Sequence, residues 1–388
     1  MGSINWFRAM SILIVSVPGD AHAIYVELGL KALNQPMNKI FLTEIPQRAS
    51  ISHDSNCGRN SIIYESSAGS LNLTEFDTIW LRRMGRPVLG DAVHEDDRRY
   101  AELSWKSLVE SIWLQTELSG GFHINDPRSA LEHSAKPLHL DIATASGLKI
   151  PPTLISNSRD KIIDFINLNT DNDRQTIVKG FFIPVWYCQS SGSGLTTGTE
   201  IVTIRDVEAS EIEACPAIYQ ARIPKSYEVR LTKMGGYSLA GRFVHRPGDD
   251  TEVDFRRTPD WTDLGMERCD IPDAINIAVS IMFKKLNLVF GSIDFIVDDQ
   301  GQWWFVDLNP MGNFFWVEAY CPEIPLLDTF CHFLMSRDPK FQLPRNHRPK
   351  LRLQDVAPNE LLRSFIDTEL TNSIKYVGER PVIELGAV

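Results

Sequence analysis

The chain has 388 residues, of which 43% are hydrophobic and 23% charged, and a formal net charge of -11. That length supports two or three domains around a sizeable core. The acidic balance excludes a general nucleic-acid binder, which needs a basic surface to displace counterions. No apolar run is long enough to span a bilayer. The opening MGSINWFRAMSILIVSV has only a short apolar run that leads directly into a strand, without a cleavage site. Six scattered cysteines with no CxxC pair read as reduced thiols of a cytoplasmic protein, and no zinc site is expected from them.

In chain order, Ser11 to Val17 reads as a buried strand and His22 to Leu33 as a helix after the turn Pro18-Gly19-Asp20. Thr78 to Leu81 reads as a strand, followed by Arg82-Arg83 and a Gly/Pro turn. Glu95 to Leu118 carries early acids and apolar residues at helical spacing. Alternation of strand and helix predicts a small α/β domain closing near Asn125-Asp126-Pro127. A second unit then opens with one helix from Pro127 to Ser146, with Gly147 as its C-cap. Thr153 to Ser156 predicts a strand, and Ser158 to Asn167 a helix with Ser158 as N-cap. Thr176 to Lys179 and Ala217 to Ala221 predict strands on either side of a Ser/Gly/Thr-rich loop, Gln189 to Gly198. Glu228 to Lys233 and Tyr237 to Val244 form a hairpin around Gly235-Gly236. Pro272 to Leu286 is a helix with Ile275, Ala278, Val279 and Met282 on one face. Arg337 to Pro358 reads as an extended tail and Asn359 to Asp367 as a short helix.

The segment Gly291 to Asn313 carries the most chemistry. Ile293, Phe295 and Val297 alternate with polar positions, Asp298-Asp299-Gln300-Gly301 is turn chemistry, and Trp303 to Leu308 reads as the return strand. Asp307 and Asn309, two apart, share a strand face, and a hairpin brings Asp294 beside them. Three hard oxygen donors on one rigid face suit Mg²⁺ carrying nucleotide phosphates. A charged Asp307 between Val306 and Leu308 needs a partner or a metal.

This hairpin resembles the metal-binding end of the ATP-grasp ligases, whose pattern is Glu-x-Asn where this chain has Asp307-x-Asn309. Further elements follow in the family's order: Lys136, Lys179 in TIVKG, the loop Gln189 to Gly198, the hinge Gln220-Ala221-Arg222-Ile223, and Glu228-Val229-Arg230. Within that superfamily the chain is similar to the microviridin or graspetide-type maturases of ribosomal peptides. Asp20 and His22, Trp80 with Arg82 and Arg83, Asp254-Phe255-Arg256, and Asn309 to Asn313 followed by Trp316-Val317-Glu318 carry that likeness, which spans Ser11 to Met335.

The resemblance implies an α/β ATP-grasp fold with an N-terminal α/β domain (1–126), a central subdomain (127–216), a C-terminal grasp subdomain (217–335) and an extension (336–388). It implies ATP and Mg²⁺ as cofactors, with Asp294, Asp307 and Asn309 on the metal. Lys136, Lys179, Gln220, Ala221, Arg222, Ile223 and Glu228 would hold nucleotide, while Arg230 and Arg256 would be catalytic. Backbone groups of the hinge would meet adenine, and Glu228 would reach ribose or form a cross-strand ion pair. The implied reaction passes through an acyl phosphate to ester or amide crosslinks in a ribosomal peptide with a leader segment. Nucleic acid and membrane are excluded as partners, and family members are often homodimers. A free amino-acid or glutamate ligase shares every nucleotide residue. Asp307 and Ala221, each standing where the family has Glu, also keep open an inactive binding module.

Overall fold

A computed structural model describes residues 11–56, 59–131, 135–181, 185–187, 194–196, 198–244 and 265–374. Ile12–Ser16 is the inner strand of a parallel four-stranded sheet, between Met37–Phe41 on one side and Thr78–Leu81, then Phe122–Ile124, on the other. Its side chains alternate between two cores. Ile12 and Ile14 pack with Tyr25 and Val26 of the helix Ala21–Ala32, while Leu13 and Val15 pack with Ile112 and Trp113 of the helix Glu95–Leu118. A strand covered on both faces is apolar throughout, which is why it reads so plainly. A three-stranded antiparallel sheet, Ala49–Asn56, Arg59–Ser66 and Gly69–Asn72, is appended to this layer. Its strands are mostly polar, so their alternation is faint.

The helix expected from Pro127 to Ser146 is two helices, Pro127–Leu131 and Lys136–Ala145. Pro137 lies in the first turn of the second, the helical position that tolerates a missing N–H. The break therefore places Lys136 at a helix start. Ser146 is the C-cap, and Gly147 follows it at φ +92°, where a side chain would be strained. Ser158 occupies the expected N-cap of Arg159–Asp171, but its side chain makes no capping bond.

Glu200–Val202, Thr176–Lys179, Ala217–Ala221 and Thr153–Ser156 form an antiparallel sheet in that order. Of the predicted loop Gln189 to Gly198, Gly194–Thr196 is a short strand paired with Val185–Tyr187; 189–193 and 197 lie outside the described residues. A five-stranded antiparallel sheet runs Met266–Arg268, Tyr237–Val244, Tyr227–Met234, Phe290–Val297, Trp303–Asn309. One face packs Val229, Leu231, Ile293 and Phe295 on Ala278, Val279 and Met282 of the helix Asp273–Lys285. The other face holds Arg230, Thr232 and Asp294.

After the helix Leu326–Ser336 the chain returns across the molecule. Phe341, Leu351, Leu353, Ala357 and Leu362 are buried in the same core as Ile14, Trp80 and Phe314. Gly235, at φ +58°, lets this segment pass so closely that a Cβ there would lie 2.7 Å from Phe341 N. Two acids, buried Glu318 and half-buried Glu369, fix the return. Glu318 accepts Leu327 N at 2.7 Å and Leu353 N at 3.1 Å, and Glu369, on the helix Asn359–Asn372, accepts Gly19 N at 2.7 Å and pairs with Lys39. Burial pushes the Glu318 carboxyl up to about 7 against those amide bonds. Among the described residues no helix is long and apolar enough to cross a membrane.

Candidate active site

Phe290–Val297 and Trp303–Asn309 pair so that Asp294 faces Asp307 and Ser292 faces Asn309. Strict alternation would place Phe305 and Asp307 on the same face. Instead Phe305 pairs with Phe295 in the core and Asp307 with Asp294 on the opposite face, because the register shifts between them. The extra residue is Val306, a β-bulge that re-aims the acid. Its carbonyl receives Lys179 Nζ at 3.5 Å, from the neighbouring sheet.

Each acid is matched by a cation. Arg230 sits beside Asp294 on the adjoining strand and donates Nη1 to Oδ1 at 2.6 Å. Lys136, at its helix start, donates to Asp307 Oδ2 at 2.9 Å. Both carboxylate side chains keep about a third of their surface open, 33% and 36%. Burial nonetheless dominates Asp294 and holds its carboxyl above the ordinary range; Arg230 opposes this, while Asp307 and Glu228 add to it. Burial also opposes ionisation of Asp307, but Lys136, Lys179 and Arg230 together outweigh it and hold that carboxyl low. The facing pair is thus split, one acid firmly ionised and the other more easily protonated. Asn309 Oδ1 accepts Met311 N at 3.1 Å, leaving a second lone pair for a ligand. Two carboxylates and an amide oxygen on one rigid hairpin, ringed by three cations, fit Mg²⁺ and a polyphosphate.

The chain just past Asn309 is held at almost every backbone polar group. Asn125 Nδ2 donates to Pro310 O at 2.8 Å, and Arg82 Nη1 to Met311 O and Gly312 O at 3.0 and 2.6 Å. Arg230 Nη2 donates to Asn313 O at 2.7 Å. His22 Nε2 accepts the N–H groups of Phe314 and Phe315, at 3.1 and 3.3 Å, where the helix Phe315–Tyr320 begins. That nitrogen must be unprotonated. Burial, then Arg82, hold the imidazole pKa well below 6.5. Asp20 caps its own helix through His22 N and Ala23 N and forms ion pairs with Arg82 and Arg83, both at 3.2 Å. Burial works against the Asp20 charge, yet Arg82 and Arg83, with the Ala23 N–H bond, bring its pKa to about 2. These four residues, all prominent in the sequence, therefore brace the site from outside it.

Other predicted residues stand apart from the acidic pair. Gln220 is buried and donates to Thr153 Oγ1 at 2.9 Å; Arg222 reaches Gln175. Ala221 N and Arg222 N are engaged by Pro152 O and Gln175 O. Ile223 is buried just beyond the strand. Glu228 pairs with Lys225, a contact within one strand approach and not across strands. Asp254, Phe255 and Arg256 lie outside the described residues. Lys225 and Asn125 escaped sequence reading: Lys225 sits in an unpatterned turn, and Asn125 resembles any polar residue at the end of a domain.

No protein-family model matches the chain, and no curated protein matches it. Solved structures do. The macrocyclase MdnC of Microcystis aeruginosa, bound to precursor peptide MdnA, superposes with a TM-score of 0.71 at 22% identity, covering 84% of this chain and 100% of that one. A RiPP-associated ATP-grasp ligase of Chryseobacterium gregarium, in complex with ADP and a leader and core peptide, gives 0.76 at 20%, covering 88% and 100%. The ATP-grasp ligase PsnB, complexed with a phosphomimetic variant of minimal precursor, Mg and ADP, gives 0.66 at 19%, covering 85% and 99%. At these identities the likeness is one of fold, and the fold of this chain is the ATP-grasp fold in the arrangement those ligases share.

Proposed function

We propose that this chain is an ADP-forming ligase that joins a carboxylate to a side-chain hydroxyl or amine within a ribosomally made peptide carrying a leader segment. The observation that carries the reading is the facing pair Asp294 and Asp307, compensated by Arg230 and Lys136 with Lys179 alongside. The fold supports it, since solved structures of that fold include a macrocyclase with its precursor peptide and a ligase with ADP, leader and core. The division into 1–126, 127–216, 217–335 and 336–388 is part of the same proposal.

The chemistry follows from a poor leaving group. A carboxylate oxygen attacks the γ-phosphorus of ATP, the bond to the ADP oxygen breaks, and an acyl phosphate results. A hydroxyl or amine then adds to the acyl carbon, loses its proton, and inorganic phosphate departs. Asp294, Asp307 and Asn309 would hold Mg²⁺, which supplies neutralising charge for phosphate oxygens. Lys136 and Lys179 would move from carboxylate and carbonyl to triphosphate oxygens. Arg230 would offset triphosphate charge with them, Arg256 would hold the activated carboxylate, and positioning with charge neutralisation would do most of the catalysis. The hinge Gln220 to Ile223 would line adenine through backbone groups other than the engaged N–H of Ala221 and Arg222, with Glu228, steadied by Lys225, at the ribose. A cytoplasmic location accords with the ATP requirement and with the free thiols of Cys215, Cys269, Cys321 and Cys331.

ADP release in the presence of a peptide substrate tests the metal assignment. Asp307→Asn is expected to cut turnover by about 10²-fold or more while the circular dichroism spectrum is retained. Wild-type turnover in that variant would remove Asp307 from the site.

A further inference from the structure

We propose that Asp328, His332 and His347 form a binding site for a borderline-soft divalent cation of the zinc type, clasping the returning C-terminal segment to the helix beneath it. Asp328 and His332 are one turn apart on Leu326–Ser336 and share a face. His347 arrives from the return segment, outside any helix or strand. Asp328 is fully buried. Its Oδ1 accepts Lys350 N at 2.7 Å and Leu351 N at 3.2 Å, which fixes the carboxylate and leaves Oδ2 facing both imidazoles. Oδ2 lies 2.6 Å from His347 Nε2 and 3.4 Å from His332 Nδ1. One ligand atom from each of the three lies within 4.8 Å of the others.

Tetrahedral zinc with bonds near 2 Å sets its ligand atoms about 3.3 Å apart. The His332 separation already meets this, and the His347 separation needs to widen by less than about 1 Å, which a loop residue can do. His332 Nδ1 also lies 2.8 Å from Asp328 O, so without metal its proton points there. Binding would shift that proton to the other ring nitrogen, and likewise on His347. The two side chains are 27% and 16% exposed, so a fourth position opens to water. Two imidazoles and one carboxylate favour zinc or cobalt, whereas the all-oxygen set at Asp294, Asp307 and Asn309 suits magnesium.

The test uses the full chain, stripped with chelator, reloaded with ZnCl₂ and gel-filtered before metal analysis. Wild type is expected to retain one more zinc per chain than His332→Ala or His347→Ala, and to melt several degrees higher with zinc. Neither variant should show that zinc-dependent rise. CoCl₂ should give tetrahedral visible bands in wild type alone. His332→Ala leaves the Asp328–His347 hydrogen bond in place, so it stays informative if His347→Ala misfolds. Equal zinc content and equal melting in wild type and His332→Ala would overturn the proposal and leave the trio a hydrogen-bonded latch.

Discussion

His22 shows how much a single side chain can carry here. As a neutral acceptor it terminates two N–H groups at the start of the helix Phe315–Tyr320, and besides burial Arg82, Arg83 and Arg230 disfavour its protonation while Asp20 favours it. His22→Ala leaves those amides without their acceptor and is expected to cost about 1–3 kcal/mol of stability by urea unfolding. Because the folded-state pKa is depressed, the unfolded chain takes up the proton first. The contribution of His22 is therefore full above pH 6.5 and is lost as pH falls below it. Stability measured from about pH 7.5 to about pH 5.5 should fall more steeply in wild type than in His22→Gln, whose amide oxygen accepts without titrating. Parallel slopes would contradict the assignment. The sequence pointed to Asp20, His22, Arg82 and Arg83 by resemblance alone. It was silent on their work, since long-range backbone acceptors such as Met311 O and Gly312 O leave no trace in residue identity.

At the scale of elements, the acidic hairpin was legible because its strands, turn and acids are local features. What alternation could not show is the bulge at Val306, which separates Phe305 from Asp307 onto opposite faces. Deleting Val306 would leave Phe305, Asp307, Leu308 and Asn309 in regular alternation. The variant is expected to keep near-wild-type melting, yet lose the carbonyl that meets Lys179 and shift the acid, with ADP release falling about 10²-fold. Unchanged turnover would show that the bulge is incidental. The helix break before Lys136 was missed for a related reason: apolar spacing continues across it, and only Pro137 marks the restart.

On the scale of the whole molecule, the return segment is the part composition described least well. Its prolines and charges suggested an extended tail, but sparse apolar residues, Phe341, Leu351, Leu353 and Leu362, are each buried against distant elements. Leu362, 2% exposed, joins the core beneath the first helix, and Leu362→Ala is expected to cost about 2–5 kcal/mol in thermal or urea unfolding. A loss under about 0.5 kcal/mol would mean that the segment is only loosely attached. Two of the four parallel strands, Ile12–Ser16 and Thr78–Leu81, and most strands of the two larger antiparallel sheets were readable, whereas the polar three-stranded sheet from Ala49 to Asn72 was not. Nor was the assembly around Asp294 and Asp307, because it depends on Lys136, Lys179 and Arg230 arriving from three separate elements.

Peptide crosslinking by this protein is tested most directly by the fate of a peptide. The measurement is the intact mass of a short peptide encoded beside the gene, after co-expression with this protein and with its Asp307→Asn variant. Loss of whole waters with the wild type and none with the variant is the predicted result. An unchanged peptide mass, with ADP released instead on free amino acids, would contradict peptide crosslinking and assign the ligase to a free amino-acid substrate.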